Sequence, residues 1–303
     1  MLVVIAGLIL TVPVLAQTEN WKLVHTKTEA QLAEVVSRAR GVVGVSALDL
    51  TSGERFGVND TLLFPQGSAI KIPILMEVYK QAAEGKFKLT DLRSISRKDK
   101  VGGSGILQDF GNGTSRLSIQ DLCVMMIVLS DNTATNMLID LVGMASIKRT
   151  LSSLGLKETR LQRRMMDTAA SGRGEENLST PIEAVRIMEI LYKGELVSRA
   201  VCDEMLSMLR VPLKMPKSSS IKSGLPDDVP VAFKTGDIPG VDTEWAIVDL
   251  KGRPYVLVIM ENFELDGEAE PVMKDISRIL YQYFWRSGRS TRHGTYLDPS
   301  LWK

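Results

Sequence analysis

The rhythm of apolar and polar positions changes twice along this chain. From Lys27 to Arg40 the apolar residues Leu32, Val35, Val36 and Ala39 recur at helical spacing. The runs VVGVSALDL and ERFGV then flank Thr51-Ser52-Gly53, the pattern of a strand, a turn and a second strand. From Ile70 the spacing becomes helical again and stays so, with breaks, to about Leu209. Inside that stretch, Asp121 to Leu129 is apolar on nearly all sides, which predicts a buried helix. The last third returns to strands in VPVAFKTG, TEWAIVDL and PYVLVIMEN, the last two joined by Lys251-Gly252-Arg253. An amphipathic stretch from Val272 to Trp285 predicts a closing helix.

These elements predict an α/β (α+β) fold in which five strands pair as one antiparallel sheet, flanked by the terminal helices. Residues 21–60 and 212–290 would form this α/β lobe, residues 61–211 an inserted all-helical lobe, and residues 291–303 a C-terminal tail. A cleft between the lobes is the natural place for a ligand.

Composition narrows the classes of function. The 303 residues include 44% hydrophobic and 24% charged residues, an ordinary globular balance with enough apolar surface for a large core. Lys plus Arg number 37 against 36 acids, so the net charge of +1 gives no electrostatic footprint for nucleic acid or an anionic membrane. The basic residues Arg286, Arg289 and Arg292 read as part of a solvated tail. Leu2 to Ala16 is almost wholly apolar and is followed by polar Gln17-Thr18-Glu19-Asn20. That is short for a membrane span and predicts an export signal at residues 1–16, although its basic n-region is missing. The expectation is a periplasmic or secreted protein with no stable membrane insertion once the signal is cleaved; retention of the segment as a weak anchor is the alternative. Cys123 and Cys202 are far apart, and Cys123 sits in the apolar run LCVMMIVL as a small core residue. A disulfide between them is compatible with export and not fixed by sequence. With no metal-ligand cluster and no HExxH, neither a metal nor another cofactor is expected.

Three short motifs carry chemistry. In FPQGSAIKIPIL, Ser68 stands at the start of a helical pattern and Lys71 three residues on shares its face. A desolvated amine can take the serine proton, and the helix start offers backbone N–H groups to an oxyanion. The bland reading is a serine near a helix start beside a lysine that reaches solvent. Ser130-Asp131-Asn132 ends the apolar run, so polar groups are carried into the interior as a proton relay and an amide ligand, or as a simple polar turn. Lys234-Thr235-Gly236 continues the strand Val229–Phe233, suiting a carboxylate and an extended substrate backbone, or only protecting a sheet edge. Only His25 and His293 could serve a Ser-His-Asp scheme, and both lie outside the motif-bearing body.

S-x-x-K, S-D-N and K-T-G in this order resemble the class A β-lactamase family. The resemblance runs from about Trp21 to Trp285 and includes SDNTATNMLID, TRLQR at 159–163 and STP at 179–181. It implies a β-lactamase/transpeptidase-like fold and a β-lactam or peptidoglycan-like small-molecule substrate. Ser68 would be the nucleophile that forms an acyl-enzyme, Lys71 would help remove its proton, and Ser130 would pass a proton to the leaving nitrogen. Asn132 would bind the substrate amide, and Lys234 with Thr235 its carboxylate. Gly236 precedes the oxyanion-hole residue, here Asp237, an acid unusual for the family.

Two departures qualify the resemblance. The family holds its hydrolytic water with a glutamate in TRLxR-x-E and an asparagine four residues on. Aligning on Thr159-Arg160-Leu161 puts Met165 and Ala169 there; aligning backward from Thr180-Pro181 puts Arg164 at the glutamate. Asp167 is the nearest acid and a candidate deacylation base, its alternative role being a helix cap. Glu175 and Glu176 are expected to close the loop, against Arg163. In addition, GVDTEW supplies Asp242 and Glu244 where many relatives carry an arginine that supports the substrate carboxylate. Three functions remain: an exported serine β-lactamase, a D-Ala-D-Ala peptidase or penicillin-binding-like protein that deacylates slowly, and a non-catalytic peptidoglycan-binding module.

Overall fold

A computed structural model describes residues 19–210, 219–265 and 267–298; the expected signal at 1–16 lies outside them. Five strands form one antiparallel sheet: β1 (Val42–Asp49), β2 (Arg55–Val58), β7 (Val231–Ile238), β8 (Val241–Val248) and β9 (Tyr255–Asn262), in the order β2-β1-β9-β8-β7. This is the sheet predicted from the alternating runs. β7 begins one residue after Pro230, because proline has no N–H to give the ladder. Two short ribbons, β3 (Phe64–Pro65) with β6 (Leu178–Ser179) and β4 (Leu92–Ser94) with β5 (Arg116–Ser118), interrupt the segment expected to be purely helical. They lack the length to show as alternation in the sequence.

Both faces of the sheet are buried. On β9, Tyr255, Leu257 and Ile259 face one core with α1 (Glu19–Arg38) and α10 (Ala269–Arg289), where Leu32, Val35, Ile276, Leu280 and Phe284 pack. Val256, Val258 and Met260 face the other core. That core contains residues of α2 (Lys71–Ala83), α3 (Ile119–Val128), α4 (Asn132–Val142), α7 (Pro181–Lys193) and α8 (Arg199–Arg210). The two-residue period of a strand therefore sorts its side chains between two helical layers. The remaining helices are α5 (Met144–Ser153), α6 (Thr168–Gly172) and α9 (Ser220–Ser223).

Cys123 and Cys202, whose pairing the sequence left open, are separate, fully buried thiols, and burial pushes the Cys123 thiol well up. The expected solvated tail is corrected at Arg289. Arg289 is buried, with its guanidinium 5.1 Å above the Trp285 ring, because α10 continues past Trp285 and the chain folds back on it. The Leu297 N–H donates to the Arg289 carbonyl at 2.8 Å, and Tyr296 meets Trp285 edge-on.

The far end of β9 carries a buried carboxyl. Glu261 pairs across the sheet with Val43 and with Asp242, and its Oε2 has no hydrogen-bond partner. Burial, then Glu264, then Glu268, raise it to about 7; Glu268 is itself paired with Arg40 at 3.0 Å. A carboxyl whose folded value lies above its unfolded value stabilises the fold only while protonated, so this contribution is lost as pH rises through about 7. Glu261→Gln is expected to raise Tm at alkaline pH by about 2–4 °C and to leave it nearly unchanged at acid pH. Thermal melts of both proteins across that range check it.

Candidate active site

The nucleophile motif is built on a turn held against the sheet. Gly67–Ile70 form a 3-10 turn that leads directly into α2, so Ser68 and Lys71 sit on one face. Gly67 has φ +46°, and a Cβ there would lie 2.9 Å from the Asp237 nitrogen. A Cβ on Gly236 would come 2.1 Å from the Gln66 carbonyl oxygen and 2.7 Å from the Ala69 nitrogen. These two glycines let the Ser68 turn lie directly on the backbone of β7. Gln66, fully buried, locks the approach. Its Oε1 accepts from Trp245 Nε1 at 3.0 Å, its Nε2 donates to the Phe64 carbonyl at 2.8 Å, and its N–H donates to the Asn177 carbonyl at 2.9 Å.

Lys71 is the hub. Its Nζ lies within hydrogen-bond distance of four oxygens, Ser68 Oγ at 3.0 Å, Ser130 Oγ at 3.0 Å, the Ser130 carbonyl at 2.5 Å and Asn132 Oδ1 at 3.0 Å. The side chain is wholly buried. Burial lowers its amine well below the ordinary lysine range, and Lys234 lowers it further against the opposing pull of Asp131. The SDN residues meet it because α3 ends before Ser130, which adopts a left-handed φ of +52°. Asp131 then caps α4, accepting from the Ala134 N–H at 2.8 Å and from the Ile106 and Leu107 N–H groups at 2.7 and 2.8 Å. The motif is thus a joint between two helices rather than a polar helix end. The turn aims both the Ser130 carbonyl and its hydroxyl at Lys71. Asn132 Nδ2 donates to the Gly102 carbonyl at 3.1 Å, fixing the amide orientation.

Lys234 lies on β7 beside these residues, buried, its Nζ donating to the Thr235 carbonyl at 2.7 Å. Ser68, Asn132 and Asp237 line one cleft of about 660 Å³, together with Gly103, Ile238 and Pro239. Glu244 turns away from it: its carboxylate accepts from Ser219 Oγ and from the N–H groups of Ser220 and Ile221 at 2.9 and 3.2 Å. Burial raises this acid to about 7.

The loop from Arg160 to Asn177 forms the opposite wall. Asn136 clamps Met165 in both directions, accepting from its N–H at 2.9 Å and donating to its carbonyl at 3.1 Å. Met165 is buried and lines the cleft, whereas Arg164 reaches outward to Asp140. Of the two alignments of the loop, Met165 is therefore the residue directed at the site. Asp167 accepts from the Ala170 N–H at 2.9 Å as the cap of α6, and it is absent from the cleft lining. Glu175 pairs with Arg173 at 2.8 Å on the exterior. Glu176 pairs with Arg163 at 2.9 Å and does line the cleft. Asn177 staples the loop base, accepting from the Gln162 and Arg163 N–H groups at 2.8 and 3.0 Å. Gln66 and Asn136 escaped the sequence reading; their only signal is a polar residue beside a motif or in an apolar helix. Among the described residues no group of three or more His, Cys, Asp or Glu could hold a metal ion, and no helix is long and apolar enough to cross a membrane.

Chemically, the site joins a hydroxyl, a neutralisable amine and a second hydroxyl in one hydrogen-bonded unit, the arrangement of an activated serine nucleophile with a proton relay. Comparison with known proteins agrees. A family model described as "Beta-lactamase enzyme family" matches residues 27–284. The imipenem-hydrolyzing beta-lactamase of Enterobacter cloacae is 24% identical over 264 residues, covering 84% of this chain and 89% of that protein. A mutant of PBP-A, solved as an acyl-enzyme complex with penicillin G, superposes with a TM-score of 0.79 at 28% identity, covering 86% of this chain and 97% of that one. The beta-lactamase from Sphaerobacter thermophilus DSM 20745 gives 0.76 at 29% identity, with 86% and 97% covered.

Proposed function

Because the chain belongs to the beta-lactamase enzyme family, we propose that it opens β-lactams by acylating Ser68. The observation that carries this reading is Lys71, fully buried and 3.0 Å from both Ser68 Oγ and Ser130 Oγ. Its lowered amine takes the Ser68 proton as Oγ attacks the lactam carbonyl. The backbone N–H groups of Ser68 and Asp237 receive the oxyanion. Ser130 then delivers the proton from Lys71 to the departing lactam nitrogen. Asn132 binds the acyl amide of the substrate, and Lys234 with Thr235 its carboxylate. Glu244 does not replace the arginine common in relatives, since its carboxylate is spent on the start of α9.

The lifetime of the acyl-enzyme separates two readings within this chemistry. A hydrolytic β-lactamase turns the adduct over quickly; a penicillin-binding-like protein keeps it. Met165 in the cleft wall favours the longer lifetime, because a thioether cannot deprotonate water. The apolar segment at 1–16 supports export, with the site acting in the periplasm or outside the cell on antibiotics or peptidoglycan-like peptides.

Incubation with a chromogenic cephalosporin, followed by absorbance and intact mass, tests the reading. A covalent adduct or rapid colour in the wild type, and neither in Ser68→Ala, is the expected result. Wild type and Ser68→Ala alike showing no adduct and no colour would leave only a binding module.

A further inference from the structure

The loop that faces Ser68 contains three acids, and their environments differ. Asp167 is spent on the start of α6 and Glu175 on Arg173 at the surface. Glu176 lines the same cleft as Ser68. Two donors of Arg163, Nε at 3.0 Å and Nη2 at 2.9 Å, converge on one oxygen, Oε2. The other oxygen, Oε1, is left to a single neutral donor, the hydroxyl of Ser171, which also lines the cleft. The ion pair is largely shielded, with side-chain exposures of 11% for Arg163 and 20% for Glu176. Its position relative to the nucleophile is fixed by the neighbouring residue: the Asn177 carbonyl accepts from the Gln66 N–H, two residues before Ser68, at 2.9 Å. A plain loop clasp needs only the Arg163 contact. A hydroxyl bonded to the remaining carboxylate oxygen, on the cleft side, is the arrangement of a proton relay.

We infer that Ser171 and Glu176 form the relay that deprotonates the hydrolytic water, in a chain whose loop presents Met165 instead of a carboxylate. This rests on the acyl-serine reading above. A water in the cleft gives a proton to Ser171 Oγ as the Ser171 hydroxyl proton passes to Glu176 Oε1. The water oxygen bonds to the acyl carbonyl carbon. Collapse breaks the ester bond to Ser68 Oγ, which takes a proton back along the relay. Glu176 is then ionised again, and the released carboxylic acid ionises in solvent. Arg163 is a positioning residue that keeps Oε1 turned toward Ser171.

Single-turnover measurements on the full chain test this, with penicillin G as the acylating probe and intact mass as the readout. Acylation of Ser68 in Glu176→Gln and Ser171→Ala is expected to stay within about twofold of wild type, while loss of the adduct slows by on the order of 10²-fold. Glutamine keeps an acceptor for Arg163, so a clasp without proton transfer predicts an unchanged lifetime, which overturns the inference. So does a lifetime that lengthens in Asp167→Asn but not in Glu176→Gln. Should Glu176→Gln fail to fold, as seen in its melting curve, Ser171→Ala and the pH profile of wild-type deacylation decide. Loss of rate toward acid pH in wild type, with slow deacylation at all pH in Ser171→Ala, supports the relay; a flat wild-type profile overturns it. Absence of any adduct in wild type instead defeats the acyl-serine reading, a distinguishable outcome.

Discussion

Lys71→Met is expected to slow acylation of Ser68 by on the order of 10²–10⁴-fold, the usual worth of a positioned general base. The reason lies in one atom. Lys71 Nζ touches Ser68 Oγ and Ser130 Oγ at the same distance, 3.0 Å, so it can collect the proton from one and supply it through the other. Burial and Lys234 hold the amine low. With the ordinary lysine value it would stay protonated near neutral pH and could not accept. The sign of the pH dependence follows. A lowered amine keeps acylation active toward lower pH, and activity falls only when Lys71 gains its proton. Methionine approximates the length but removes the base, leaving the Ser130 carbonyl and Asn132 Oδ1 without their shared donor. Adduct formation with penicillin G in wild type and variant across pH measures the effect. An acylation rate within tenfold of wild type would assign the proton to another group.

Met165→Glu is expected to shorten the acyl-enzyme lifetime by on the order of 10²-fold or more. Met165 is held in place by its backbone, through both polar atoms of Asn136, so its side chain can change without releasing the loop. It is only 7% exposed and lines the cleft opposite Ser68. A carboxylate there would be partly desolvated and therefore raised toward neutrality, where a base is most effective. The same substitution in a Glu176→Gln background should restore turnover, because it supplies a base that bypasses the Ser171 relay. Pre-steady-state mass measurements of the adduct, with acylation followed in parallel, check both. A lifetime unchanged in both backgrounds would mean that the side chain at 165 does not reach the hydrolytic water.

The alternating runs at 42–58 and 229–262 carried the sheet in full, because β1, β7, β8 and β9 put apolar side chains into both cores and the edge strand β2 adds Phe56 to one of them. Ser68 and Lys71 were equally legible, since three residues along one helical turn already place two side chains together. Lys71 meeting Ser130 and Asn132 was only half legible. The motifs lie 59 and 61 positions apart, and their meeting depends on the left-handed turn at Ser130 and the cap at Asp131. The three acids of the loop could not be told apart by spacing. Asp167, Glu175 and Glu176 lie within ten positions, yet one caps a helix, one faces outward and one faces the cleft.

The sequence by itself determined the strands, the order of the motifs and the pairing of Ser68 with Lys71, because these rest on local periodicity that short-range sterics enforce. The tertiary structure alone decided the burial that lowers Lys71, the close approach of Gly67 and Gly236, and which loop acid sees the cleft. Each of those depends on desolvation and contact between segments far apart in the chain, and neither is a property of any short stretch of residues.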